Sequence, residues 1–242
     1  MAYRSHSNRV FVHDFFPPGV KWLIIVNTAV YLIFALSRPL SSHMITVLAL
    51  YPEAAVRNFY VWQVFTYMFL HGGPWHLIFN MLALWMFGTQ LERDWGTRRF
   101  LKYYFLCGMA AGICVLLVNM AFGEWTIPTL GASGAIFGVL VGFGVMYPNQ
   151  TVLMNFLFPI KAKYMVMIYA AVELVLGLGP NTGVSRVAHL GGMAFGYVYL
   201  KGKFPRFKMP DVQGAYRQWK MQRAKKKFQV YMRKHGRGPW VN

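Results

Sequence analysis

Apolar residues run along this chain in long blocks, unlike the short alternations of a half-buried strand. Six blocks stand out, at roughly 20–37, 74–90, 101–122, 131–147, 163–179 and 187–201. Each approaches the roughly 20 residues that a helix needs to cross the hydrocarbon core of a bilayer. The second and sixth are short and contain His and Gly, so hydropathy alone ranks them lower. The pattern predicts an all-α membrane protein, a bundle of six transmembrane helices. The loop 38–73 after the first helix is long for a compact bundle. It carries Trp62, Phe65, Tyr67 and Phe69, and is expected to be a folded extracytoplasmic loop with buried aromatics. The chain then divides into an N-terminal segment 1–18, a six-span domain 19–201 and a C-terminal tail 202–242. The first block follows Pro17-Pro18-Gly19 without a small-residue cleavage site, so it reads as a retained signal anchor.

Composition supports the membrane reading, because only 13% of residues are charged, about half the share of an ordinary soluble domain. The net charge of +18 would suggest a nucleic-acid partner, but thirteen of the 25 Lys and Arg lie after Leu200, where the only acid is Asp211. That placement is a basic cytoplasmic tail obeying the positive-inside rule, and no nucleic acid is expected. Residues Tyr216 to Lys234 form a basic stretch interleaved with Trp219, Met221, Phe228 and Tyr231, a pattern suited to anionic lipid head groups. Lys and Arg recur before span 1, between spans 2 and 3, and between spans 4 and 5, while loop 123–130 has none. Both termini are therefore expected in the cytoplasm, in a multi-pass protein of the cell inner (plasma) membrane. Cys107 and Cys114 sit seven apart, about two helical turns, so they are packing residues and not a disulfide.

This topology runs spans 2, 4 and 6 inward from the outer face, and the unusual polar residues cluster near the starts of those three. Span 2 carries His76 and Asn80, stacked at i and i+4, with His71 just before it. Span 4 carries Ser133, and span 6 carries His189. Polar groups at one shallow depth on three separate segments are costly in lipid and point to function. Gly131, Gly134, Gly138 and Gly142 form a stripe on span 4, and Gly192 and Gly196 have small-xxx-small spacing on span 6. The two helices are therefore expected to touch, which brings His189 toward Ser133.

Taken singly, each residue has a plainer role: Ser133 as a small packing residue, His189 as an interhelical hydrogen-bonder or a heme or metal ligand, and Asn80 as an interhelical polar contact. Together they supply a nucleophile, a base to activate it, and donors for an oxyanion. The backbone N–H of Ser133, in the first turn of span 4, adds a third donor. His71 and His76 are five apart, not the i, i+4 spacing of a helical metal pair, and no H-E-x-x-H occurs. No metal or other cofactor is expected.

Three segments, "HGGPWHLIFNMLALWMFG" (71–88), "GASGAIFG" (131–138) and "AHLGGMAFG" (188–196), occur in the order and helices that resemble the rhomboid intramembrane serine proteases. The resemblance implies a serine endopeptidase that cleaves single-span transmembrane protein substrates near the extracytoplasmic face. It implies Ser133 as nucleophile, His189 as general base, and His76 and Asn80 as oxyanion-hole side chains. His71 matches a further motif histidine. Gly131 matches the position before the Ala-Ser pair, Phe137 the aromatic beside the base, and Gly192 and Gly196 the close-packing glycines. Glu92 resembles a position of structural hydrogen bonding. Loop 180–186 resembles a cap over the site, with span 5 as the neighbouring gate. The resemblance implies a Ser-His dyad, and no acid is assigned to orient His189. Glu173, in the outer half of span 5, is expected to be satisfied by a neighbouring helix or to face the substrate path. The rival reading is a non-catalytic rhomboid-like protein that binds membrane segments. Such a protein is expected to lack the serine or the histidine, and both are here.

Overall fold

All six apolar blocks fold as helices in the computed structural model, which describes residues 15–36, 38–154, 157–177, 186–202, 220–228 and 231. Helix α1 spans Pro18–Leu36, and the segment after it folds as α2 (Arg38–Leu48), α3 (Pro52–Arg57), α4 (Gln63–Thr66) and a 3₁₀ turn, Tyr67–Phe69. Helix α5 (Pro74–Ala83) passes through a π turn at Leu84–Gly88 into α6 (Thr89–Trp95). Then come α7 (Thr97–Ala121), α8 (Ser133–Met146), α9 (Ala162–Gly177) and α10 (Arg186–Lys201). Helices α1 and α7 are long and apolar enough to cross a membrane. Helix α1 buries only Gly19, Val20, Leu23 and Asn27, and its exposed side chains include Trp22, Leu32, Ile33 and Leu36. So much apolar surface is unusual for a protein facing water.

Helices α7, α8 and α10 pack closest, because glycines remove the side chains between them. A Cβ on Gly192 would lie 1.9 Å from the carbonyl oxygen of Gly134, and one on Gly196 would lie 3.2 Å from Gly138 Cα. The expected contact between spans 4 and 6 is thus main chain against main chain. Gly142 departs from the stripe's expected role, since it faces Tyr103 of α7 and Leu91 of α6. Tyr103 runs beneath the crossing and donates its hydroxyl hydrogen to the Gly138 carbonyl at 2.7 Å. Both cysteines are free; Cys107 lies against Gly138 and Cys114 against Gly191.

The segment 38–73 is held together internally by polar contacts, and to the bundle by the Tyr67 hydroxyl, which donates to the Gly108 carbonyl, and a few buried side chains. Gln63, with no exposed surface, accepts from the Tyr51 N–H and donates to the Thr46 carbonyl, both at 3.1 Å. Thr66 Oγ1 donates to the Leu48 carbonyl at 2.8 Å, satisfying an orphan acceptor at the end of α2. Of the four aromatics expected inside, Tyr67 is buried, Phe69 is partly buried, and Trp62 and Phe65 remain exposed. Tyr67 and Met68 fill notches left by Gly112 and Gly108 on α7, each burial contributing about 1.5–3 kcal/mol.

Two features depart from an all-helical plan. Residues Thr151–Met154 (β1) and Phe158–Lys161 (β2) pair as an antiparallel hairpin, with Val152 opposite Ile160. Its β-branched and aromatic side chains, half-buried at alternate positions of β1, suit a pleated edge better than a helix turn. The π turn adds one residue's width to the helix where Gly88 meets Phe100 and Val20.

The Glu92 carboxylate accepts from the backbone N–H groups of Gly19 and Val20 at 2.7 Å each, and from Thr97 Oγ1 at 2.6 Å. A buried carboxylate thus caps the first turn of α1, where the helix dipole favours negative charge. The chain divides into two units, Met1–Lys203 and Phe204–Asn242. In the second, residues 220–228 are helical, as the basic stretch suggests, while Trp219 and most of the tail lie outside the described residues. So do the N-terminal residues before 15 and, apart from Arg186, nearly all of the expected cap 180–186.

Candidate active site

Ser133 opens α8. Ala132 precedes it as the N-cap residue, so the Ser133 N–H is among the first-turn donors that the helix itself cannot satisfy. The turn leading into it is held from outside the bundle. Leu50 and Thr129 exchange two backbone hydrogen bonds of 2.9 Å, and the Gly131 N–H donates to the Tyr67 carbonyl at 2.9 Å. Gly131 adopts φ of +124°, a region that side-chain-bearing residues avoid, and a Cβ there would lie 2.8 Å from the His76 ring.

His189 sits three residues into α10, one turn before Gly192. The main-chain crossing at Gly134 and Gly192 therefore sets how near it comes to Ser133. Its Nε2 lies 2.8 Å from Ser133 Oγ, within hydrogen-bond reach across two helices. The imidazole stacks on Phe137 with ring centroids 4.2 Å apart and planes 14° from parallel. Its opposite nitrogen, Nδ1, lies 3.0 Å from Glu173 Oε2 on α9. That contact is bent out of hydrogen-bond alignment. Arg186 approaches the same oxygen at 3.6 Å, and both Glu173 and His189 are buried.

His76 and Asn80 come from α5. His76 Nε2 and Ser133 Oγ border the same space beside Gly131. Asn80 is 8% exposed, and its side-chain Nδ2 has no hydrogen-bond partner within the protein. A buried amide donor left unmatched costs about 1–3 kcal/mol, so the site holds an unused donor. His71 is 1% exposed, packs edge-on against His76 with ring centroids 5.0 Å apart, and leaves both ring nitrogens unpartnered. Burial first, and then the neighbouring His76, lower its pKa to about 4, so it is neutral at physiological pH.

His71, His76, Ser133 and His189 thus lie in one neighbourhood, and Asn80 follows one turn after His76 on α5. The reading from sequence missed Glu173 as a neighbour of His189. Glu173 lies one turn before the end of α9, and His189 one turn after the start of α10, so the signal available was that both sit beside the connection joining these two helices. Among the described residues no group of three or more His, Cys, Asp or Glu is arranged to hold a metal ion.

A family model described as the Rhomboid domain matches residues 58–206. Rhomboid-like protein 4 of Arabidopsis thaliana is 35% identical over 138 residues, 57% of this chain and 32% of its own length. Rhomboid protease GluP of Bacillus subtilis is 37% identical over 139 residues, covering 56% of this chain and 25% of its own. Rhomboid-like protease 3 of Toxoplasma gondii is 28% identical over 196 residues, covering 80% of this chain and 72% of that protein. The matched stretch spans about a quarter to a third of the first two relatives.

Proposed function

This chain belongs to the rhomboid family, and on that premise we propose that it is an intramembrane serine endopeptidase. The observation that carries the reading is the 2.8 Å contact between Ser133 Oγ and His189 Nε2 at the N-terminal end of an apolar helix. Six helices cross the bilayer in this reading, both termini are cytoplasmic, and the site opens near the extracytoplasmic face. The protease domain is 19–201 and the basic tail 202–242 meets the anionic leaflet.

Ser133 Oγ attacks the scissile carbonyl carbon while His189 Nε2 takes its proton. The oxygen of the resulting tetrahedral intermediate carries the negative charge. The Ser133 N–H, at the positive end of α8, and the side chains of His76 and Asn80 donate to it. Collapse breaks the C–N bond, and His189 returns its proton to the leaving amine. Water, deprotonated by His189, then attacks the acyl-serine ester; the bond from the acyl carbon to Ser133 Oγ breaks, His189 returns the proton to Oγ, and the second product leaves as a carboxylic acid. Phe137 holds the imidazole plane, and Gly131 leaves room for His76. The substrate is a single-span membrane protein whose helix must partly unwind, because a peptide bond inside a helix is hydrogen-bonded and shielded.

The test is cleavage of a generic single-span substrate by purified protein in detergent. Ser133→Ala and His189→Ala are expected to abolish it. Undiminished cleavage by either variant sinks the assignment. Labelling of wild-type Ser133 by a fluorophosphonate separates this reading from a non-catalytic membrane-segment binder.

A further inference from the structure

In that reaction the Nε2 side of His189 meets Ser133, and the Nδ1 side faces elsewhere. Phe137 fixes the plane of the imidazole, but stacking does not fix rotation within that plane or the choice of tautomer. Both matter, because Nε2 accepts a proton from Ser133 only if Nδ1 carries the ring's hydrogen. The group facing Nδ1 is the Glu173 carboxylate at 3.0 Å, buried on α9 and approached by Arg186 at 3.6 Å. A carboxylate in an apolar helix is costly and is kept where it is paired or used. Arg186, on the same helix as His189, leaves Glu173 an anion with a nearby counter-charge.

We propose that Glu173 is the positioning residue of His189. Its carboxylate accepts from Nδ1–H, which leaves the Nε2 lone pair facing Ser133, and it stabilises the imidazolium formed when Ser133 attacks. The bent resting geometry fits this role, since such contacts commonly tighten only when the reacting complex forms. The inference rests on the Ser133–His189 reading. It extends that dyad to three groups on three helices, α8, α10 and α9. Glu173 touches no reacting atom; it acts through His189.

The test compares Glu173→Gln and Glu173→Leu with wild type and Ser133→Ala, in detergent. Three quantities are read: kcat and KM on a single-span substrate, the rate at which a small fluorophosphonate labels Ser133, and the thermal midpoint. Leu keeps the volume and removes both acceptor and charge; kcat and labelling rate are expected to fall together about 100-fold, with KM within about threefold. Gln can turn its NH₂ toward Nδ1 and hold the wrong tautomer, so it is expected to lose about 100-fold or more in both. Gln is nearly isosteric with Glu, so it carries the test if Leu does not fold. Labelling at the wild-type rate in folded Glu173 variants overturns the proposal, including where substrate cleavage falls, because the carboxylate would then serve substrate passage. Cleavage by Ser133→Ala overturns the protease reading itself, whatever the Glu173 variants do.

Discussion

Replacing Glu92 with Gln isolates the clamp that joins α6 to the start of α1. The carboxylate accepts three hydrogen bonds of 2.6–2.7 Å, two from the backbone of Gly19 and Val20 and one from Thr97. The amide keeps one oxygen and turns an NH₂ toward a backbone N–H, so one charged bond becomes a donor–donor clash and the others lose their charge. Hydrogen bonds to a charged group contribute about 1.5–3 kcal/mol, and an anion at a helix N-terminus about 0.3–1 kcal/mol more. Gly19 wraps so closely that an added Cβ would lie 2.9 Å from either carboxylate oxygen, and little room exists for water to replace the lost acceptor. The sum is a destabilisation of about 3–5 kcal/mol, or roughly 10 °C in the unfolding midpoint for a domain of this size. Reaction of the buried Cys107 with a thiol-reactive dye during a thermal ramp reports it. Ser133 labelling by fluorophosphonate at low temperature is expected to stay within about twofold of wild type. A midpoint lowered by less than 2 °C would refute the clamp.

Gly192→Ala places a methyl 1.9 Å from the Gly134 carbonyl oxygen. Main chain must yield by about 1 Å, and His189 moves with it; a shift of that size costs about 100-fold in turnover, measured per folded molecule. Asn80→Ala removes the proposed oxyanion donor and is expected to lower kcat about 100- to 1,000-fold with KM little changed, read from initial rates of cleavage. His71 is held near 4 in the folded protein against about 6.5 unfolded. The unfolded chain thus binds more protons between those values, and its contribution to stability, full above pH 6.5, is lost as pH falls toward 4, by about 3 kcal/mol in total. Thermal midpoints across that window are expected to decline less in His71→Gln than in wild type.

The six helices were legible because each apolar block is longer than a strand and ends near charge, Gly or Pro. The meeting of Ser133 and His189 was legible from depth and the glycine spacing on two spans. The stripe's expected role failed at Gly142, two turns along α8 from Gly134, because there the side chains of Tyr103 and Leu91 occupy the space that the glycine leaves. The hairpin at 151–161 was not found because its strands are four residues each, too short for alternation to separate from loop. Trp62 and Phe65 face outward although aromatics usually signal core, because the polar side chains Gln63 and Thr66 do the tying in that segment. Glu173 was visible as an acid in the wrong place. Its partner was not, since the side-chain facing of two helices joined by a loop depends on rotations that no local pattern records.

The crossing of α8 and α10 also changes how mutational scans of this protein are to be read. Alanine scanning finds contacts by deleting atoms, and at most positions a loss marks what the side chain did. At Gly134, Gly138, Gly192 and Gly196 there is no side chain to delete. Every substitution there inserts matter, so the same scan becomes a wedge that measures clearance. A severe alanine phenotype along this seam reports the thickness of one methyl group. Deletion scanning of the surrounding core does not probe that clearance, on which the spacing of Ser133 and His189 depends.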